Sequence, residues 1–271
     1  MSDYIRAMDS TVLQRYRGDD FPTTNHSGGD VYRLASSDRR RDVTLKSAQS
    51  GLPVYWQNGQ PVAPAATPGR QFALAVKRAV DIVGAGLSLI ALGPLLLLVA
   101  LTIRLTDKGP ALFRQDRVGL NGTVFRIYKF RSMYVDRGDA SGLSQTQAQD
   151  PRVTPIGRFI RKTSIDELPQ LLNVLNGQMS LVGPRPHVAG MIAAGVPYED
   201  LTRHYGFRHL MRPGITGWAQ CNRLRGPTID ESKALSRVGH DIAYIQNFSL
   251  LLDAKVIFRT IQREFLSGTA H

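Results

Sequence analysis

Cysteine is almost absent from this chain of 271 residues, in which Cys221 is the only one. A single cysteine excludes a disulfide framework and any zinc or iron–sulfur site that needs several cysteine ligands. Common nucleotide-binding motifs are missing as well: Gly84-Ala85-Gly86 lacks the third glycine of a dinucleotide loop, and there is no Gly-Lys-Ser/Thr phosphate loop. The sequence also lacks zinc fingers and aromatic RNA-binding motifs, so we expect no nucleic-acid partner.

Apolar clusters are scarce in the first 70 residues, which contain nine Lys or Arg and seven Asp or Glu. The segment 61–68 has the Pro/Ala composition of an extended linker. The first apolar block starts too late in the chain to be a secretory signal. We therefore expect residues 1–70 to be a poorly ordered extension with a linker, and residues 71–271 to form the functional domain.

Acidic residues are outnumbered, because 34 Lys and Arg against 22 Asp and Glu give a net charge of +12, most of it after residue 70. A basic excess of this size indicates nucleic acid, an anionic membrane surface or a phosphorylated substrate as the partner. The apolar block that follows the linker favours the last two.

Charge is wholly absent from residues 82–103, a run of 22 residues. At 1.5 Å per residue in a helix, such a run is long enough to cross a hydrocarbon core of about 30 Å. Gly93-Pro94 lies at its middle, where a proline bends a helix, and basic residues flank the run on both sides. From the residues alone, two structures remain open: a spanning helix, and a re-entrant hairpin over about residues 76–106.

Three charged residues stand at the entry to this run. Asp81 follows Lys77 by four positions and Arg78 by three, so a helix would place the carboxylate beside both cations. They form either a solvated pair at the membrane interface or an anchor that fixes the depth of the hairpin.

Alternating apolar and polar residues after the run predict a β-hairpin, with strands at 111–115 and 123–131 joined by 119–122. Residues 137–151, rich in Gly and Ser, predict a loop. An apolar-rich stretch predicts one long helix over about 240–265. Together these features indicate an α/β membrane-associated fold with a small β-hairpin and interfacial helices, in which the apolar run is either a spanning helix or a re-entrant helix–break–helix hairpin.

Two adjacent acids, Asp166 and Glu167, are the strongest candidates for chemistry. Ser164 and Glu167 also match a helix capping box, which is a purely structural explanation. Arg185, however, lies between two prolines that stiffen its backbone for bidentate phosphate contact. Further cations precede the acids, namely Arg158, Arg161 and Lys162. The pattern suggests chemistry on a phosphorylated substrate, with one carboxylate as nucleophile and the other as ligand of a divalent metal.

Motifs spread in order over residues 72–266 resemble those of the bacterial sugar transferases known as monotopic phosphoglycosyl transferases. The motifs that carry the resemblance are Lys77-Arg78-Ala79-Val80-Asp81, the apolar run with Pro94, Phe113-Arg114-Gln115, Arg117-Val118-Gly119, Lys129-Phe130-Arg131-Ser132-Met133, Asp166-Glu167-Leu168-Pro169-Gln170, Gly183-Pro184-Arg185-Pro186 and Arg212-Pro213-Gly214-Ile215-Thr216-Gly217. Where the family usually has serine before the proline, this chain has Gly93. The resemblance implies a re-entrant hairpin in the bacterial cytoplasmic membrane, with the catalytic domain on the cytoplasmic face.

Members of that family transfer a sugar-1-phosphate from a UDP-sugar to a polyprenyl phosphate such as undecaprenyl phosphate, release UMP, and so begin the synthesis of a surface polysaccharide. The resemblance implies that Asp166 attacks the diphosphate to form a covalent phosphosugar intermediate and that Glu167 binds Mg²⁺. The implied phosphate contacts come from five basic residues: Arg185, Arg161, Lys129, Arg131 and Arg212. The C-terminal half resembles the subgroup that uses hexose donors, glucose before galactose.

Two other functions remain open. A basic membrane-anchored binding module would use the acids only as a helix cap and would tolerate Asp166→Asn. A single-span signalling anchor would place the N-terminal extension on the opposite side of the membrane from the domain. The oligomeric state also stays open, a homo-oligomer included.

Overall fold

A computed structural model describes residues 51–135 and 150–263. Its helices are α1 (Pro68–Thr106), α2 (Pro155–Lys162), α3 (Gln170–Leu175), α4 (Tyr198–Leu201), α5 (Trp218–Cys221), α6 (Glu231–Gln246) and α7 (Leu250–Ile261). Its strands are β1 (Trp56–Gln57), β2 (Gln60–Pro61), β3 (Leu112–Val118), β4 (Val124–Phe130), β5 (Ser180–Val182), β6 (Ile192–Ala193), β7 (Val196–Pro197) and β8 (Gly214–Thr216). The predicted mixture of helices with a small β element is confirmed, whereas residues 137–149 of the predicted loop lie outside the described residues.

The uncharged run lies within α1, a helix of 39 residues. Thr67 caps its start, since the Thr67 side chain accepts a hydrogen bond from the Arg70 N–H. Where we expected a break between two helices, the structure has Pro94 inside one helix, because a proline removes a single hydrogen bond and lets the helix continue past it. An 18-residue window of α1 has a mean hydropathy of 2.4 and is 11% buried. By length and composition, α1 is the one helix in the described ranges that qualifies as a membrane span.

Both halves of α1 contact the rest of the protein, but its middle stands clear. The buried residues of the two halves are Lys77, Asp81 and Ala85 before Pro94, and Val99 and Ile103 after it. Leu89 packs partly against one core cluster and Leu96 against another. Between them, none of residues 90–95 is buried, and Ile90 is 79% exposed. The segment around Pro94 therefore lacks the buried positions that both halves of α1 have.

The predicted β-hairpin is confirmed, with a longer first strand than expected. β3 and β4 pair antiparallel over seven residues each, from Leu112 opposite Phe130 to Val118 opposite Val124. The alternation of the sequence buries Phe125 and Ile127 on one face of β4, where they pack against Ala85 of α1. Lys129 lies two residues further on the same face, so the hairpin directs this cation toward the protein.

The long C-terminal helix that we predicted over 240–265 is wrong, because the chain forms two helices there. α6 ends at Gln246, and α7 begins at Leu250 after a cap by Ser249, whose side chain accepts a hydrogen bond from the Leu252 N–H. A serine whose side-chain oxygen accepts a hydrogen bond from the N–H three residues later can start a new helix, even where the apolar pattern of the sequence continues. α6 contributes to two core clusters, and α7 packs with the end of α6 in the second of them.

Residues 51–67, expected to be extended or poorly ordered, contact the domain instead. β1 and β2 form a two-residue hairpin. The Gln246 side chain bonds the backbone of this segment at Tyr55 and Val62, and the Asn247 amide donates to the Pro53 carbonyl. Two side-chain amides at the end of α6 thus replace the sheet partners that so short a hairpin lacks.

A short parallel pair, β5 and β8, carries the loop that contains Arg185. Ser180 lies opposite Gly214 and Val182 opposite Thr216. The two chains approach so closely that a Cβ on Gly183 would lie 2.3 Å from the Arg212 carbonyl oxygen. Glycine is therefore required at residue 183, immediately before the Pro-Arg-Pro sequence.

Candidate active site

The acid pair lies in a tight 3₁₀ turn, Ile165–Glu167, between α2 and α3. Ser164 begins the turn in the left-handed region, with φ of 56°. The capping-box explanation is wrong, because both side-chain oxygens of Glu167 accept hydrogen bonds from distant cations instead of from the backbone near Ser164. The positive φ of Ser164 is a strained backbone conformation for a residue other than glycine, and such strain is typical of functional sites.

Glu167 joins two cations that sequence analysis placed among the phosphate contacts. Lys129 Nζ donates to Glu167 Oε1 at 2.8 Å. Arg185 forms a fork, with Nη2 donating to Oε1 at 2.5 Å and Nη1 to Oε2 at 3.0 Å. The side chains of Glu167 and Lys129 are 17% and 18% exposed, and that of Arg185 is 36% exposed. The group is thus enclosed but open toward solvent at Arg185.

The pKa values of the two neighbouring carboxyls are shifted in opposite directions. Burial and the like charge of Glu167 raise the pKa of Asp166 to about 6, although Lys129, Arg161 and Arg185 act to lower it. Burial also tends to raise the pKa of Glu167, but Arg185 and Lys129 outweigh it and hold that pKa well below its usual range. At neutral pH both groups are ionised, and Asp166 is the more basic of the two.

Arg117 is a further cation of the site. It belongs to the Arg117-Val118-Gly119 motif but is not among the five predicted phosphate contacts. Burial and the nearby Arg185 lower the pKa of Arg117 to about 10. Its Nη1 donates to the Pro186 carbonyl at 3.4 Å, and its Nη2 donates to the Gln115 side chain. The period-two alternation of β3 and β4 places residue 117 on the same face as Lys129, and this signal could have identified it.

Not every predicted phosphate contact lies in this group. Arg161 is close enough to Asp166 to affect its pKa. Arg131 instead bonds the end of α1, where Nη2 donates to the Asp107 carbonyl at 2.6 Å. Arg212 Nε donates to the Gly177 carbonyl at 2.9 Å. The structure therefore assembles Asp166, Glu167, Lys129, Arg185 and Arg161, and places Arg131 and Arg212 in contacts that hold other segments.

Of the charged residues at the entry to the uncharged run, Lys77 and Asp81 are buried and Arg78 is half-buried, so they do not form a solvated pair. Lys77 Nζ donates to Asp253 of α7 at 2.6 Å and is 4.0 Å from Asp81. Asp81 accepts a hydrogen bond at 2.9 Å from the N–H of Leu181, the middle residue of β5. Arg78 donates to the Val174 and Leu175 carbonyls at the end of α3. These bonds fix α1 to α3, which directly follows the acid pair, and to β5 and α7.

The carboxylates partly satisfy the requirements of Mg²⁺. Among residues 51–135 and 150–263, no group of three or more His, Cys, Asp and Glu could hold a metal. Mg²⁺ commonly takes only one or two protein carboxylates and completes its shell with substrate phosphates and water. Glu167 offers such an oxygen: Oε1 accepts two of the bonds from Lys129 and Arg185, whereas Oε2 accepts one and keeps a lone pair. The site therefore fits a metal that arrives with a diphosphate.

A membrane-length helix on a small α/β body and a carboxylate pair among half-buried cations are together typical of a membrane-associated protein that acts on phosphorylated substrates. The chain belongs to the bacterial sugar transferase family, whose family model matches residues 72–267.

Three relatives illustrate the family. The exopolysaccharide production protein PSS of Rhizobium leguminosarum bv. phaseoli is 51% identical over 195 residues, which are 72% of this chain and 98% of the relative. The undecaprenyl-phosphate glucose phosphotransferase of Komagataeibacter xylinus is 52% identical over 72% of this chain and 36% of its own length. The UDP-glucose:undecaprenyl-phosphate glucose-1-phosphate transferase of Escherichia coli K12 is 45% identical over 79% of this chain and 46% of its own length. This chain thus spans less than half the length of the last two.

Proposed function

We propose that this protein is an undecaprenyl-phosphate hexose-1-phosphate transferase. It moves hexose-1-phosphate, with glucose as the first candidate and galactose as the second, from a UDP-sugar to undecaprenyl phosphate and releases UMP. The names of two relatives support the glucose donor and the lipid acceptor, and the name of a third supports a role in exopolysaccharide or capsule synthesis. The observation that carries the proposal is the Asp166–Glu167 pair held among Lys129, Arg185 and Arg161.

Asp166 is the nucleophile of the first step. A carboxylate oxygen forms a bond to the sugar-proximal phosphorus, and the bond from that phosphorus to the bridging oxygen breaks, so UMP leaves with the electron pair. A raised pKa of about 6 makes Asp166 more basic than an ordinary aspartate while leaving most of it ionised at pH 7. In the second step an oxygen of the lipid phosphate attacks the same phosphorus and frees the carboxylate.

The cations make this approach of like charges possible. Lys129 and Arg185 are placed beforehand by Glu167, so no reorganisation is needed when a diphosphate enters. Their side chains are close enough to Asp166 to lower its pKa against the effect of burial. Mg²⁺ bound at Glu167 would withdraw charge from the diphosphate.

The membrane geometry belongs to the same proposal. We infer that α1 enters the cytoplasmic leaflet, bends at Gly93-Pro94 and returns to the cytoplasmic face. A helix whose two ends pack on one body while residues 90–95 stay uncovered is suited to insert its middle into lipid. In inside-out vesicles, this topology exposes an N-terminal epitope tag and the domain to protease alike. A spanning α1 would leave the tag protected, and that result would refute the re-entrant arrangement.

Release of UMP tests the reaction itself. The detergent-solubilised protein is incubated with Mg²⁺, undecaprenyl phosphate and a panel of UDP-sugars, and wild type is compared with Asp166→Asn. Asp116→Asn is the matched control, since Asp116 is an exposed aspartate on β3 that forms a surface ion pair with Arg126. We expect lipid-dependent release from wild type and the control, and none from Asp166→Asn. Equal UMP release from all three proteins, or no UMP release with any UDP-sugar, would contradict this proposal and favour the binding module.

A further inference from the structure

The loop that carries Arg185 is held by its carbonyl oxygens. Pro184 and Pro186 have no N–H to donate. The backbone of this loop is therefore held mainly by hydrogen bonds that its carbonyl oxygens accept. Each of the four consecutive carbonyls of residues 184–187 accepts a hydrogen bond. The donors, in the order of the carbonyls, are the Gly214 N–H at 2.9 Å, Arg208 Nη2 at 2.7 Å, Arg117 Nη1 at 3.4 Å and the Val118 N–H at 2.9 Å.

Arg208 supplies the bond to Arg185 itself, and it is a deeply buried charge. Its side chain is 1% exposed, and Nε and Nη2 both donate to Asp241 Oδ2, at 3.1 and 2.7 Å. Nη1 lies 3.3 Å from the Tyr205 hydroxyl, to which it donates. Asp241 belongs to α6 and its side chain is 3% exposed. The orientation of Arg208 is therefore set by three contacts before it reaches the loop.

A buried ion pair is expensive to desolvate and is a poor device for stability alone. Here the same Nη2 atom that bonds Asp241 also bonds the Arg185 carbonyl. The side chain of Arg185 is 36% exposed at the mouth of the site, so its direction toward Glu167 depends on the placement of its backbone. The pair thus links a rigid helix to the backbone of the residue that faces the substrate.

We propose that Arg208, oriented by Asp241, is a positioning residue that sets the direction of the Arg185 side chain. The inference rests on the proposed function, in which Arg185 contacts the diphosphate. Arg208 does not touch the substrate, and its effect on the reaction passes through the Arg185 carbonyl. A misplacement of about 1 Å in a group that binds the reacting phosphate costs up to about 100-fold in rate.

A double-mutant cycle tests this proposal, with kcat/KM for the UDP-sugar measured by UMP release. Arg208→Lys keeps the charge, but its single nitrogen cannot bond Asp241 and the Arg185 carbonyl as the guanidinium does. We expect it to lower kcat/KM by about 10- to 100-fold in the wild-type background. In an Arg185→Lys background, the same change should lower it by no more than about two-fold, because the residue through which it acts is already altered.

The matched control is Arg237→Lys, since Arg237 is a buried arginine of α6 whose Nη2 donates to the Gly226 carbonyl, outside the loop. We expect this variant to stay within about three-fold of wild type. Asp241→Asn should reproduce the Arg208 effect more weakly, and it replaces Arg208→Lys in the cycle if that variant does not fold. Equal losses in both backgrounds, or an equal loss in Arg237→Lys, would overturn the positioning role. Absence of UMP release from wild type would instead overturn the proposed function.

Discussion

The pKa of Asp166 leads to a quantitative prediction for the pH dependence of the reaction. The nucleophile must be ionised, and burial together with the charge of Glu167 raises the pKa of Asp166 to about 6. Activity is therefore present at neutral pH and is lost as the pH falls through about 6. With this value, about 91% of Asp166 is ionised at pH 7 and about 9% at pH 5, so kcat/KM should fall roughly ten-fold between them.

The assay measures initial UMP release at low donor concentration and saturating lipid. Under these conditions kcat/KM for the UDP-sugar reports groups of the free enzyme and the donor, which separates Asp166 from the lipid phosphate. Samples held at pH 5 and returned to pH 7 control for unfolding.

Glu167→Gln provides the second arm. Removal of the like charge should move the acidic limb of its residual activity to lower pH, because Lys129 and Arg185 then act on Asp166 without a competing carboxylate. An ordinary aspartate, with pKa near 3.9, would still be about 90% ionised at pH 5. A flat profile from pH 7 to pH 5 in wild type would therefore refute the assignment of Asp166 as a buried nucleophile.

Three further predictions concern stability and the metal. Lys77→Met leaves the Asp253 carboxylate buried without its 2.6 Å partner and should lower the free energy of unfolding by about 3–5 kcal/mol in a denaturant titration; an unchanged midpoint would contradict this. Gly157→Ala places a Cβ 2.0 Å from the Ser132 carbonyl oxygen and should cost about 3 kcal/mol, whereas Gly69→Ala, with no atom within 4 Å, should cost nothing. EDTA should abolish UMP release and added Mg²⁺ restore it, and release that persists in EDTA would refute the metal requirement.

Local patterns were enough to predict the elements that carry the site. The period-two alternation around Lys129 predicted the β-hairpin, and the structure confirms it. The uncharged run predicted a membrane-length apolar helix, and α1 contains it. Asp166 and Glu167 stood out because three cations, Arg158, Arg161 and Lys162, closely precede them. Each of these signals lies within about 20 residues of chain.

Local patterns could not predict which distant segments of the chain contact each other. Glu167 meets Lys129 and Arg185, which lie 38 and 18 residues away in the chain. Helical spacing predicted that Lys77 pairs with Asp81, yet its closer partner is Asp253, 176 residues away. A periodic pattern defines which face of an element is buried, but it does not say which other element covers that face.

Helix boundaries were the other source of error. The apolar period continues through 247–250, so the sequence alone favoured one C-terminal helix, while Ser249 caps a second one. The Ser164 capping box failed for the opposite reason, because two cations compete for Glu167 more strongly than a backbone N–H does. Charge-assisted bonds from distant residues thus override a valid local motif.

Mass spectrometry of the protein after incubation with the UDP-sugar alone tests the central claim most directly. Without lipid phosphate the second step cannot occur, so the covalent intermediate should accumulate. We predict a mass increase of one phosphosugar on the peptide that contains Asp166, discharged when undecaprenyl phosphate is added and missing in Asp166→Asn. Lipid-dependent UMP release with no modified peptide, or a modification that persists in Asp166→Asn, would contradict the account.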